Sequence, residues 1–332
     1  MGQLFAVNSL GGFASAKNLS KELRMGVRAM AKFRQFADVR DAWSKVTRAG
    51  QTFTWDVVPM MSRGNRALAE TNTIPQGQHT YIQGTLTMSE RGFSVPYTEA
   101  LESLAEVSVR EPIMKVLKYD AMCDIDCLVH AEFNKTPMRV AATATGDSVT
   151  LTTNSTATLT VSQQLSLTNA KSVIDLMKGR NVPYYTDSEY MIIARPGGLR
   201  KLKNDLEAIH QYTESGLEQI MNGEVGRIPG DARVVEQTVV PAGGAADSAT
   251  FNAFTDTADP WNAAAAPDWA FFFGADTVCE AVHTPEEIRA KIPDDYGRSK
   301  GVAWYALIGY GITHNSADSL ANVRIFKWDS AV

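Results

Sequence analysis

The sequence predicts an α+β chain, and three features carry that prediction. Tyr190 to Val240 runs as an apolar strand, a Pro-Gly break, a charged helix, a second short helix, a glycine-spaced turn and a second strand. Residues 111 to 134 are patterned as one long helix. Segments 140–163, 269–273, 302–312 and 323–328 are rich in Val, Thr and aromatic residues and read as strands. A length of 332 residues suggests two domains, or one large domain with extensions. Apolar residues make up 44% and charged residues 21%, which places the chain among folded globular proteins.

Taken in order, Ala16 to Phe36 predicts a basic helix. Lys17, Lys21, Arg24, Arg28, Lys32 and Arg34 line it against a single acid, Glu22, and Leu23, Val27, Met30 and Ala31 form a narrow apolar stripe. Two readings stand: an arm that contacts an acidic partner or a neighbouring subunit, and a solvated surface helix. Residues 52–97 form a long excursion. Thr52 to Met61 has strand composition with Pro59 at its end, 62–78 is polar and turn-rich, and Tyr81 to Met88 alternates as a returning strand. A two-stranded ribbon is marginal alone, so it is expected to lie on its own body or on a neighbour.

In the long helix, Ile113, Leu117, Ala121 and Leu128 mark one face, and Met122, Val129 and Phe133 another. A helix apolar on two sides is buried against two neighbours. Segment 140–163 predicts a hairpin turning at Gly146-Asp147. Thr168 to Gly179 predicts a helix with Asp175 and Lys178 outward and Gly179 as its C-cap. Pro241 to Pro267 predicts a long loop. Gly309 and Gly311 predict a bend or a close backbone approach.

The search for chemistry returns little. A formal net charge of -5 gives no global nucleic-acid signature. No apolar run is long enough for a membrane span, and the N-terminus lacks the pattern of a secretory signal or a myristoylation site. Cys123, Cys127 and Cys279 are an odd set, which predicts free thiols in a reducing compartment. Phosphate-loop, zinc-protease and nucleophile-elbow motifs are missing from the sequence. Gly223, Gly226 and Gly230 follow a helix and read as turn geometry. Cys123, Cys127 and His130 share a helix face, which favours core packing over a metal site. Asp120 and Asp124, one turn apart, predict an exposed face or intersubunit salt bridges rather than an acid–base pair. His79, His210, His283 and His314 are scattered and read as surface or hydrogen-bonding residues. No catalytic residue, cofactor or metal is expected.

The run Tyr190-Met-Ile-Ile-Ala-Arg-Pro196, the turn Asn222-Gly-Glu-Val-Gly-Arg-Ile-Pro-Gly230 and Arg233-Val-Val-Glu236 resemble tailed-phage major capsid proteins of the HK97-type fold, closest to the N4-gp56-like group of coat proteins. That resemblance implies an N-terminal arm (1–50), an extended two-stranded loop (51–97), a peripheral domain with a spine helix (98–165 and 276–332) and an axial domain (166–275). It implies a structural, non-enzymatic protein. Hexamers and pentamers of it would close an icosahedral shell around double-stranded phage DNA, assembled in the host cytoplasm. It also implies a portal protein, a separate scaffolding protein and, as a further partner, a decoration protein. No membrane is involved. Arg63 and Arg66 at the loop tip are expected to meet Glu99, Glu102, Glu106 and Glu111 of a neighbouring subunit. Lys17, Lys21, Arg24 and Arg28 are expected to face DNA, scaffold or a neighbour. Some members of this fold weld their shells through a lysine in the extended loop. No lysine occurs here between Lys45 and Lys115, so a non-covalent shell is expected. The alternatives are an encapsulin-like cellular compartment and, from a different class, an α/β enzyme.

Overall fold

The computed structural model describes residues 32–41, 52–58, 74, 81–105, 108–143, 149–153, 163–186, 188–210, 227–228, 232–240, 268–293, 295–314 and 322–330. A 3-10 turn (Arg34–Phe36) leads into β1 (Ala37–Asp41), followed by β2 (Thr52–Val57), β3 (Ile82–Thr87) and β4 (Ser89–Thr98). Helices α1 (Glu99–Leu104) and α2 (Arg110–Asn134) precede β5 (Met138–Ala142), β6 (Val149–Thr153), α3 (Leu167–Gly179), β7 (Tyr190–Ala194) and α4 (Pro196–His210). The chain continues through β8 (Arg227–Ile228), β9 (Ala232–Glu236), β10 (Asp268–Phe273), β11 (Val278–Ala290), β12 (Ser299–Ile312) and β13 (Ile325–Ser330). The α+β expectation holds, and α2 covers the expected spine.

The strands form three sheets: β1-β11-β12-β4, β6-β5-β13-β10-β7-β9-β8, and the ribbon β2-β3. The seven-stranded sheet takes β5, β6 and β13 beside β7, β9 and β10. Both faces of its centre are buried. Trp269, Phe271 and Phe273 of β10 share a core with Leu117, Val129 and Phe133 of α2 and with Trp304 and Ile308 of β12. Ala270 and Phe272 face the other way, into a core with Val173, Ile174 and Met177 of α3 and Leu199, Leu202 and Leu206 of α4. The period of two in a strand therefore feeds two cores at once, which is why β7 and β10 are apolar without alternation. Each large side chain so buried contributes about 1.5–3 kcal/mol relative to exposure.

Helix ends follow local chemistry. The Leu101 amide donates to Thr98 Oγ1 at the start of α1 (3.3 Å), and the Asn169 amide to Ser166 Oγ at the start of α3 (3.2 Å). Gly179 is not the C-cap of α3. It is the last helical residue, and the left-handed position falls to Asn181, with φ 55°. The Val182 amide donates to Met177 O (3.1 Å) and the Asn181 amide to Lys178 O (2.9 Å), a paired closure that satisfies the last carbonyls.

Three other expectations are corrected. Of the basic helix, residues 32–36 are described, and they form a bend and a 3-10 turn rather than α-helix. Phe33 and Phe36 are buried, so packing overrides the helical charge pattern there. Met122 is 40% exposed, so the second apolar face of α2 begins only at Cys123. Asp120 and Asp124 are half-buried with partners in their own chain. Trp304 Nε1 donates to Asp120 Oδ2 (2.9 Å), and Arg91 Nη1 stands 3.8 Å from Asp124 Oδ1.

Candidate assembly surfaces

The β2-β3 ribbon lies on its own body, on β11 and β12. Leu86 and Met88 bury against Cys279 and Ala281, with Phe53, Trp55 and Leu307 at the margin. Trp55 Nε1 donates to the Thr313 carbonyl (3.2 Å). The paired glycines of β12 allow this seat. A Cβ on Gly309 would stand 2.8 Å from Leu86 Cδ1 and from the Thr87 oxygen, and one on Gly311 would stand 2.9 Å from Leu86 Cβ. The expected close backbone approach is therefore present. At the root of the ribbon a groove of about 630 Å³ is lined by Asp38, Trp55, Asp56, Asp276, His314 and Arg324, among others. Arg324 Nη1 donates to Asp276 Oδ2 (3.1 Å), and His314 Nε2 lies 3.4 Å from the same oxygen.

The acidic cluster after β4 is partly used within the chain. Glu102 (2.8 Å) and Glu99 both hold Lys300 at the start of β12, and these bonds raise the ammonium pKa above its usual range. Glu111 is exposed in the first turn of α2. Glu106, Arg63, Arg66, Lys17, Lys21, Arg24 and Arg28 lie outside the described residues, as do Gly223, Gly226, Gly230, His79 and the 241–267 segment. The side chain of His210 does too. His283 Nδ1 is 3.1 Å from Thr284 Oγ1.

Residues 32–36 are clamped from two sides. Arg34 pairs with Glu280 (3.0 Å) and Glu286 (2.5 Å) of β11. Burial opposes its charge, but the two carboxylates outweigh burial and hold the guanidinium pKa above normal. Tyr310 donates to Glu280 (3.0 Å), and burial together with Glu280 pushes its own pKa up. On the inner side Asp126 of α2 accepts from the backbone amides of Lys32, Phe33 and Arg34 and from the Gln237 side chain. Sequence reasoning missed Asp126, Glu280, Glu286 and Lys300 as anchors. Asp126 alone carried a signal, as an acid set between Ile125 and Cys127 on a buried stretch.

Cys123 and Cys127 are buried in the α2 core, and burial raises the Cys127 thiol pKa, so it stays neutral. Among the described residues no three His, Cys, Asp or Glu side chains gather as a metal site, and no helix is long and apolar enough to cross a membrane.

No protein-family model and no curated protein matches the sequence. Solved structures do match. The head structure of Helicobacter pylori bacteriophage KHP40 aligns with 94% of this chain and 94% of its own, with a TM-score of 0.68 at 10% identity. The capsid of cyanophage P-SCSP1u covers 95% of this chain and 93% of its own (TM-score 0.64, 12% identity). The capsid of Ralstonia phage GP4 covers 99% and 98% (TM-score 0.62, 13% identity). The chain therefore has the fold of these phage capsid structures, the HK97-type α+β capsid fold.

Proposed function

We propose that this chain is the major coat protein of a tailed phage, of the N4-gp56-like group. It builds an icosahedral shell of hexamers and pentamers around double-stranded DNA. The observation that carries this reading is the likeness to phage capsid structures over 94–99% of the chain, reciprocated over 93–98% of theirs. The arm takes residues 1–50 and the extended loop 51–97. The peripheral domain takes 98–165 and 276–332, and the axial domain 166–275. Scaffold, portal and decoration proteins are its partners, the virion is its location, and the host cytoplasm is where it assembles.

The physics of the ribbon supports an assembly role. A two-stranded ribbon gains stability only on a support, and β2-β3 is seated at its base on β12. Arg63 and Arg66 lie between its two strands in sequence and reach toward the carboxylates of a neighbour. Glu106 and Glu111 are the stronger candidates there, since Glu99 and Glu102 already hold Lys300. Lys17, Lys21, Arg24 and Arg28 face DNA or scaffold.

Electron microscopy of the purified protein after size-exclusion chromatography, alone and with crowding agents, tests the reading. Closed shells, rings or tubes support it. A compact monomer or dimer under every condition counts against self-assembly. Shells that enclose protein and no nucleic acid when isolated from producing cells would replace the phage reading with a cellular compartment.

A further inference from the structure

Asp126 is fully buried. Its Oδ1 accepts from the Phe33 amide (2.6 Å) and the Arg34 amide (3.2 Å), and its Oδ2 from the Lys32 amide (3.3 Å) and the Gln237 side-chain amide. One carboxylate thus joins three parts of the chain: the 32–36 turn, α2, and the segment that leaves β9. Gln237 is itself fixed, since its Oε1 accepts from the Thr238 amide (2.9 Å).

One turn further along α2, His130 lies under the same turn. Its ring meets Phe33 (5.2 Å between centroids), Trp269 (4.8 Å) and Phe271 (5.4 Å). Both ring nitrogens are buried and, among the described residues, have no hydrogen-bond partner. An imidazole in an aromatic pocket that offers its nitrogens nothing is held there neutral and poorly satisfied. Asp126 and His130 are four residues apart, so they are neighbours on the helix surface once Phe33 and the arm amides are lifted away.

We propose that the Lys32–Phe36 turn is a latch on α2 that opens by proton uptake at His130, with Asp126 as the counter-ion that receives the imidazolium once Phe33 has left. The inference concerns the chain's own packing and stands apart from the shell reading.

The sign follows from linkage. Burial, with help from Lys327 of β13, lowers the His130 pKa to about 3 while the latch is closed. An exposed imidazole titrates near about 6.5, so proton uptake favours the open form below roughly neutral pH. Asp126 works in the opposite direction. Burial raises it to about 6 against the lowering by the Arg34, Lys32 and Phe33 amides and Gln237, so below that pH the closed form gains a proton there. The two effects offset each other from about pH 6 to about pH 4, and the loosening falls between about pH 7.5 and 6. The other charged neighbours are engaged: Arg34 with Glu280 and Glu286, Asp124 with Arg91, and Lys327 with Asp329 at 3.0 Å.

Hydrogen exchange of the Phe33 and Arg34 amides in the full, unassembled chain tests this, corrected for intrinsic rates, at pH 7.5 and pH 6. Protection is expected to fall about two- to fourfold in the native chain. In His130→Phe, which keeps the aromatic pocket filled, it should hold or rise. Unchanged native protection, or the same fall in the variant, overturns the proposal. A second arm uses Phe33→Ala and the imidazole NMR signals of His130. The ring should titrate near its ordinary value in that variant and stay neutral at pH 5 in the native chain. A native ring that titrates above pH 5, or a variant ring that stays neutral at pH 5, also overturns it.

Discussion

Gly309 of β12 sits directly beneath Thr87 of β3, so that a Cβ on the glycine would stand 2.8 Å from the Thr87 oxygen. Backbone cannot yield there as the end of a flexible side chain could. Gly309→Ala is expected to lift the ribbon and to cost about 1–3 kcal/mol, as overpacking does. Urea unfolding measures it, with Gly179→Ala as the control. Gly179 has open space where a Cβ would go and no left-handed φ, so alanine there should be neutral or stabilising by up to about 1 kcal/mol. Equal stability of the two variants would refute the close-approach argument.

Asn181 closes α3 in the left-handed region at φ 55°. A β-carbon without a local hydrogen-bonding side chain is strained there by about 1–2 kcal/mol, whereas glycine is not. Asn181→Ala should lower the unfolding midpoint, and Asn181→Gly should leave it within error or raise it. Thermal melts of the pair decide it, and an alanine variant as stable as the glycine one would contradict the assignment.

The Arg34–Glu286 pair predicts acid sensitivity. Burial is the largest influence and raises the Glu286 pKa, but the Arg34 hydrogen bond, a backbone hydrogen bond and the Arg34 charge together outweigh it, and the net shift is downward. A carboxylate with a depressed folded pKa contributes stability above its unfolded value, about 4.3, and that contribution is lost as pH falls through the folded one. The stability gap between the native chain and Glu286→Gln should therefore be present at pH 7 and shrink below about pH 4.3. A gap that stays constant from pH 7 to pH 3 argues against the pair.

Reversal of both arginines between β2 and β3 in sequence, Arg63→Glu with Arg66→Glu, should impair shell formation while the chain still folds. Electron microscopy of the variant beside circular dichroism is the check. Normal shells would remove these two residues from the interface.

Shells boiled in denaturant should run as single chains on a gel, because residues 51–97 hold no lysine to form a crosslink. A ladder of covalent multimers would show that another chemistry joins the subunits.

Where one element's period and turn residues sufficed, the fold was legible. The α2 helix, the β5-β6 hairpin, and β7, β10 and β12 each announce themselves through apolar spacing or β-branched composition. β1 was not legible, because residues 34–36 carry the end of a basic helical pattern that Asp126 and β11 override. Nor was β11. Its sequence VCEAVHTPEEIRA includes Pro285, and the register shifts between Val282 and Glu287 absorb the missing donor. β4 was hidden by Gly92 and Pro96, and pairing along β12 sustains it.

The sequence by itself determined α2, α3 and α4, most of the strands, the glycines that admit the ribbon, and the lack of a lysine in residues 51–97. These depend on neighbours within a few residues, where sterics and periodicity act directly. Only the tertiary structure decided which charges meet. Arg34 and Glu280, Lys300 and Glu102, and Asp126 and the Phe33 amide are separated by about ninety to two hundred and fifty residues of chain. Such pairs form because two cores bring their elements together, and no local pattern records that.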